Sequence, residues 1–182
     1  YVSQILGEIG VPLDTGYLAE EKRQDAVDNT DEDNLVSWNR FDGTYTDFVV
    51  SATIGWGAGA TDDYCGFVFR DVGEEGDTNT LYAIHIDRLG RLWFAELTDS
   101  EWGDNTYGNG EFLNVDIDDT NAIILVGAGD TFSVYVNGEY AAQFQDDTLE
   151  TGVIGLMGGT FESSDESGCT FTNRWSASYG GV

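Results

Sequence analysis

Apolar side chains recur at every second position through most of the chain. In "DFVVSATIGW" the apolar phase is Phe48, Val50, Ala52, Ile54 and Trp56; in "CGFVFR" it is Cys65, Phe67 and Phe69; in "LYAIHID" it is Tyr82, Ile84 and Ile86. Leu92 and Phe94 in "RLWFAEL" and Ile123 and Leu125 in "AIILVGAG" continue it. A period of two gives a strand one buried face. "FSVYVNGEYAAQF" carries Phe132, Val134 and Val136 before Asn137-Gly138 and Tyr140, Ala142 and Phe144 after it, which predicts a hairpin closed by a type I′ turn. "GVIGLMGG" and "CTFTNRWSAS", with Phe171 and Trp175, complete the set. Roughly ten or more short strands, with glycine-rich turns and no long helical period, predict an all-β fold: an antiparallel β-sandwich or jelly roll.

Residues 1–34 follow a different pattern. "YVSQILGEIGVPL" places Ile5, Leu6, Ile9, Val11 and Leu13 in an extended run, "YLAEEKRQDAV" predicts a short helix, and "DNTDEDN" predicts an acidic loop. The chain therefore divides into an N-terminal extension, 1–34, and a sandwich, 35–182. An exposed tail has no use for an apolar stripe. It can pair as an extra edge strand of its own sandwich, or insert into a neighbouring subunit and complete that subunit's sheet.

Composition narrows the partners. There are 34 acidic residues against 7 basic ones, a formal net charge of -27. Such a surface repels nucleic acid and anionic membranes, leaving neutral, cationic or metallic partners. No apolar run is long enough for a membrane-spanning helix, so no membrane insertion is predicted. The chain begins at Tyr1 without an initiator Met, as a mature secreted or cell-surface product would.

The carboxylates cluster as Asp28, Asp31 and Asp33; Asp62 and Asp63; Asp116, Asp118 and Asp119; and Asp146 and Asp147. None of these is an EF-hand. Each is a solvated turn or, with its neighbours, a set of hard oxygen ligands for Ca²⁺. A salt-rich habitat is the other source of such acidity. For sugar binding, an aromatic beside amides and carboxylates on an exposed rim is the expected platform. Trp102, Asn105, Tyr107 and Asn109 in "SEWGDNTYGNGE" and Trp56 in "GWGAGATDD" have that character; the alternative is that Trp56 and Trp102 cap the ends of the sandwich.

The stretches "TDFVVSATI", "DDYCGFVFRD", "LYAIHIDRLGRLWF" and "DTFSVYVNGEYAAQFQDDTLETGVIGLMGG", with the closing aromatic strand, resemble the concanavalin A-like jelly-roll superfamily. The likeness is to its laminin-G-like and family-16-glycosidase-like modules, over residues 45–178. It implies the fold more firmly than a function, and laminin-G-like relatives imply calcium at a sandwich rim. The glycosidases imply a Glu-x-Asp-x-x-Glu strand motif. That motif is absent: Glu96, Asp99 and Glu101 leave a strand for a turn, and "HIDRLG" puts only Asp87 on its strand. A non-catalytic protein is expected.

The single histidine, His85, rules out a multi-histidine zinc site and is expected to be a half-exposed structural residue. Cys65 and Cys169 both fall in the apolar phase. An even count in a secreted chain points to a disulfide between them, with two buried thiols as the alternative. The leading expectation is a secreted, non-catalytic subunit that self-associates into a filament, tube or surface structure, with Ca²⁺ and exchange of its N-terminal strand. The alternative is a carbohydrate-binding or adhesion module of the laminin-G or lectin type, and a diverged hydrolase comes third.

Overall fold

The computed structural model describes residues 7, 19–20, 25–29, 36–57, 63–73, 79–160 and 167–178. The strands are β1 (Ala19–Glu20), β2 (Asp25–Asn29), β3 (Val36–Arg40), β4 (Phe48–Trp56), β5 (Asp63–Asp71), β6 (Leu81–Asp87), β7 (Leu92–Thr98), β8 (Glu101–Trp102), β9 (Thr106–Tyr107), β10 (Thr120–Ala128), β11 (Thr131–Val136), β12 (Glu139–Gln145), β13 (Val153–Thr160) and β14 (Ser167–Ser178). They form two antiparallel sheets. The first runs β1-β14-β4-β10-β11-β12, with β2 also on β14; the second runs β3-β13-β5-β6-β7-β8, with β9 also on β7.

The alternation read from the sequence becomes the sandwich core. Phe48, Val50, Ala52 and Ile54 of β4, Ile123 and Leu125 of β10 and Phe132 and Val134 of β11 face Phe67 and Phe69 of β5, Tyr82 and Ile84 of β6 and Phe94 of β7. Each such side chain, fully withdrawn from water, contributes about 1.5–3 kcal/mol. Cys65 on β5 is disulfide-bonded to Cys169 on β14, with the Cα atoms 5.8 Å apart, so the bond ties one sheet to the other.

The Asn137-Gly138 turn has φ of 50° and 101°, the pair of positive values a type I′ hairpin requires. Three residues past Gly138 the simple alternation fails. Tyr135 pairs with Tyr140 but Val134 pairs with Ala142, so Ala141 is an extra residue in β12. That bulge buries Ala141 and leaves Tyr140, expected inside, 53% exposed.

The predicted helix in "YLAEEKRQDAV" is replaced by β1 and β2, which pair along β14, Ala19 opposite Ser176 and Val27 opposite Cys169. β14 is the longest strand, and its free edge satisfies backbone groups that a short polar helix would leave to water. The apolar stripe Ile5, Leu6, Ile9, Val11 and Leu13 lies outside the described residues.

The second sheet is apolar on both faces. On its outer face Tyr64, Val68, Leu81, Ala83, Leu97 and Met157 form a further buried cluster, with Val36 and Trp38 packed against it. At one end of the sandwich Arg70 adopts a φ of 49° and turns its guanidinium into the core, 4.8 Å above the Phe132 ring. Its Nη atoms donate to the carbonyls of Leu149 and Gly129, and to that of Thr46 at 3.3 Å.

Candidate functional site

The free edge of β7 is taken by two short strands. β8 sets Trp102 opposite Leu97 and Glu101 opposite Thr98; β9 sets Tyr107 opposite Trp93 and Thr106 opposite Phe94. Between these pairs Gly103, Asp104 and Asn105 face only Ala95 and Glu96, so β8 and β9 are one edge strand interrupted by a one-residue bulge. The Gly103 amide, at the start of the bulge, donates to the Glu96 carbonyl at 2.8 Å.

The bulge decides which way the aromatics point. Trp102 and Tyr107 are an odd number of positions apart, and an unbroken strand would send them to opposite faces. The extra residue restores a common face, the outer face that Trp93 and Leu97 share. Trp102 is 42% exposed and Tyr107 61% exposed. Their partners are four positions apart on β7, which spaces the two aromatics by about 13 Å along the edge.

Behind Tyr107 the aromatic surface continues inward. Tyr107 packs on Trp93 with ring centroids 5.4 Å apart, Trp93 on His85 at 4.8 Å and His85 on Tyr64 at 4.9 Å. The Arg91 guanidinium lies over Trp93 at 4.5 Å, held by Asp87, whose Oδ2 accepts from Arg91 Nε at 2.5 Å. Asp87 Oδ1 accepts from the amides of Leu89 and Arg91 at 3.0 and 2.9 Å. Asp87 is thus consumed in shaping the β6–β7 turn. Across from His85, a Cβ at Gly66 would sit 2.0 Å from the Ile84 carbonyl oxygen, so β5 approaches β6 there as only glycine allows.

His85 is fully buried, which corrects the expectation of a half-exposed residue, and among the described residues neither ring nitrogen has a hydrogen-bond partner. Burial, with Arg91 nearby, pushes it down to about 3. The rings packed on it are Tyr64 and Trp93, and Arg91 is the charged group that acts on it. Unfolded, it takes up a proton near pH 6.5. Between about pH 6.5 and 3 the unfolded chain therefore binds the extra proton, and the stability owed to a neutral His85 is complete above that window and lost as pH falls through it. His85→Phe is expected to flatten the acid limb of urea stability against pH, relative to the natural chain, by up to one proton's slope, about 1.4 kcal/mol per pH unit. Parallel curves for the two proteins would contradict a buried neutral imidazole.

The loop after Tyr107 is pinned. The Gly108 amide donates to the Leu92 carbonyl at 2.8 Å and the Asn109 amide to Ala141 at 3.2 Å. Asn109 Oδ1 accepts from the Glu111 amide at 3.0 Å. Further on, Asn121 Oδ1 accepts from the Asn114 amide at 2.8 Å and its Nδ2 returns a bond to the Asn114 carbonyl at 2.9 Å. Asn137 Nδ2 donates to Asn121 Oδ1 at 2.9 Å and to the Phe112 carbonyl at 2.8 Å. Trp56 joins this network: only 7% exposed, it donates from Nε1 to the Asn114 carbonyl at 3.3 Å. It is therefore a core residue and loop anchor, which corrects its assignment to an exposed sugar platform. Asn105 is exposed in the bulge and Asn109 is exposed in the loop after Tyr107.

Trp93, Arg91 and the Asn121 amide were not singled out by the sequence. Trp93 carried a signal, since Leu92 and Phe94 on either side already face the core and leave a tryptophan on the face expected to be polar.

The acidic groups are scattered. Asp31, Asp33 and Asp62 lie outside the described residues, and Asp28 lies on β2. Asp63 opens β5 and is buried. Asp116, Asp118 and Asp119 sit in an exposed turn closed by the Asp119 amide on the Asp116 carbonyl at 3.0 Å. Asp147 is exposed. Asp146 accepts from the Tyr82 hydroxyl and from the Thr148 amide at 2.9 Å; burial raises its pKa, and these hydrogen bonds outweigh burial and hold it below the usual carboxylate range. Among the described residues no three His, Cys, Asp or Glu side chains gather as a metal site would need.

No protein-family profile matches the sequence, and no curated protein is significantly similar to it. Solved structures are similar in fold. The carbohydrate-binding module CBM66 from Bacillus subtilis superposes with a TM-score of 0.66 at 16% identity, over 90% of this chain and 92% of that one. Sheep galectin-11, in complex with glycerol, gives 0.55 at 13% identity, over 77% and 96%. A prokaryotic β-1,3-1,4-glucanase (lichenase) derived from a mouse hindgut metagenome gives 0.55 at 11% identity, over 78% and 71%. A binding module and a hydrolase both appear, so the likeness carries architecture and leaves activity to the site. The two antiparallel sheets, their strand order and these likenesses together show that the chain has the concanavalin A-like jelly-roll fold.

Proposed function

We propose that the chain is a non-catalytic carbohydrate-binding module acting outside the cell, and that sugar rings stack on Trp102 and Tyr107. The carrying observation is the bulged edge strand, which holds two exposed aromatics on one face of a rigid sheet with Asn105 between them. An indole or phenol face is apolar enough to take the C–H face of a sugar, and the neighbouring amide supplies hydrogen bonds that orient it. Fold likeness to a carbohydrate-binding module and a galectin supports the same reading.

Support for a binding rather than a catalytic role comes from the carboxylates. Asp87 is held by Arg91, and Asp71 is held by Arg40 at 2.6 and 3.0 Å, so these two buried acids are engaged in structural ion pairs. The Cys65–Cys169 bond suits an oxidising, extracellular setting. Self-association through the N-terminal stripe rests on residues outside those described and adds nothing to this reading.

The test is a glycan array followed by titration of the strongest ligand. Trp102→Ala and Tyr107→Ala are each expected to weaken binding by about tenfold or more while leaving the melting transition in place, since both side chains are exposed. An empty array, or affinity unmoved by both substitutions, would refute the assignment.

A further inference from the structure

Resting on that reading, the geometry points to a narrower ligand class: we propose that this edge grips a linear, uncharged polysaccharide along its length, at internal units, rather than closing around a chain end. Three observations carry it. The two aromatic platforms are spaced by about 13 Å, more than a disaccharide spans, so one ligand that touches both has at least three units. The edge between them is open. Glu101, Trp102, Gly103, Asp104, Asn105, Thr106 and Tyr107 are all exposed, whereas recognition of a terminal sugar requires a closed pocket whose buried polar groups pair with the end hydroxyls.

The third observation is charge. Glu101 and Asp104 flank Trp102, and the chain as a whole carries -27, which opposes uronates and sulfated chains. Arg91, the cation beside Trp93, is already engaged by Asp87 and is no receptor for an acidic sugar.

The experiment is affinity gel electrophoresis of the intact chain in soluble β-1,4-glucan, β-1,3-glucan, xylan, mannan and levan, with polygalacturonate and alginate as acidic counterparts. Titration follows with oligosaccharides of two to six units from the polymer that retards it. The expected result is retardation by a neutral polymer and none by the acidic ones, with affinity rising about tenfold from the disaccharide to the tetrasaccharide and then levelling. Trp102→Ala or Tyr107→Ala should each abolish that rise. Equal affinity for disaccharide and tetrasaccharide, or loss of polymer binding when only the chain ends are chemically capped, overturns gripping along the chain and leaves sugar binding standing. Stronger retardation by an acidic polymer overturns the charge selection. Retardation by none of the polymers removes the sugar-binding assignment and this inference with it.

Discussion

Reduction of the Cys65–Cys169 bond is expected to lower the unfolding free energy by about 4–5 kcal/mol. The bond closes a loop with a sequence separation of 104 residues, and a crosslink of that length removes a large share of the unfolded chain's freedom. It also joins β5 of one sheet to β14 of the other, so that in the folded state it resists separation of the layers as well as reopening of the loop. For a domain of this size the loss corresponds to a fall in melting temperature of about 10–15 °C. Replacing both cysteines by alanine should reproduce most of it, with a further small cost for the space vacated among Trp56, Phe67 and Phe171. Coincident guanidinium transitions for the oxidised and reduced proteins would show that the bond does not constrain the fold.

Arg70→Met is expected to cost about 3–5 kcal/mol. The guanidinium is the donor for the carbonyls of Leu149, Gly129 and Thr46 at this end of the sandwich, and methionine fills the volume but replaces none of those charge-assisted hydrogen bonds. Arg70→Lys should recover little of the loss. A single ammonium cannot spread its donors over carbonyls from separate segments, nor lie as a flat cation on Phe132. Equilibrium unfolding of both variants checks this, and a lysine variant as stable as the natural protein would show that charge alone suffices there.

Much of the architecture was legible because alternation survives local irregularity. The phase Phe48 to Trp56, the Phe67-Phe69 pair and the Asn137-Gly138 turn each state their own geometry. What stayed hidden were single-residue insertions and faces without alternation. The bulge at Ala141 and that at Gly103–Asn105 leave the apolar count nearly unchanged, so a pattern of period two cannot locate them. β1 and β2 are built from "AE" and "DAVDN", sequences with no apolar phase, and are strands only because β14 lends them an edge. His85 was placed half in water because the outer face of the second sheet was expected to be wetted, whereas Tyr64, Val68 and Met157 make it a second apolar surface.

The site was legible by residue type and not by direction. Trp102 and Tyr107 stood out as aromatics in a polar, glycine-rich stretch, but nothing in their spacing says that they share a face. Trp56 shows the opposite lesson: it continues the inward phase of Ile54, and that parity was a better guide than the glycines around it.

The bulge at Gly103–Asn105 also makes this edge sensitive to length in a way that substitution is not. Removing one codon between Trp102 and Tyr107 would erase the extra residue and leave both rings on one face of an unbroken strand, whereas adding one to the bulged strand would reverse the parity of one ring relative to the other and split the platform between two faces, while every long strand kept its partners. Adding two would restore it with a different span. Lineages of such a chain could therefore lose, regain or rescale their ligand through short indels at one place, with the sandwich that carries the site left untouched.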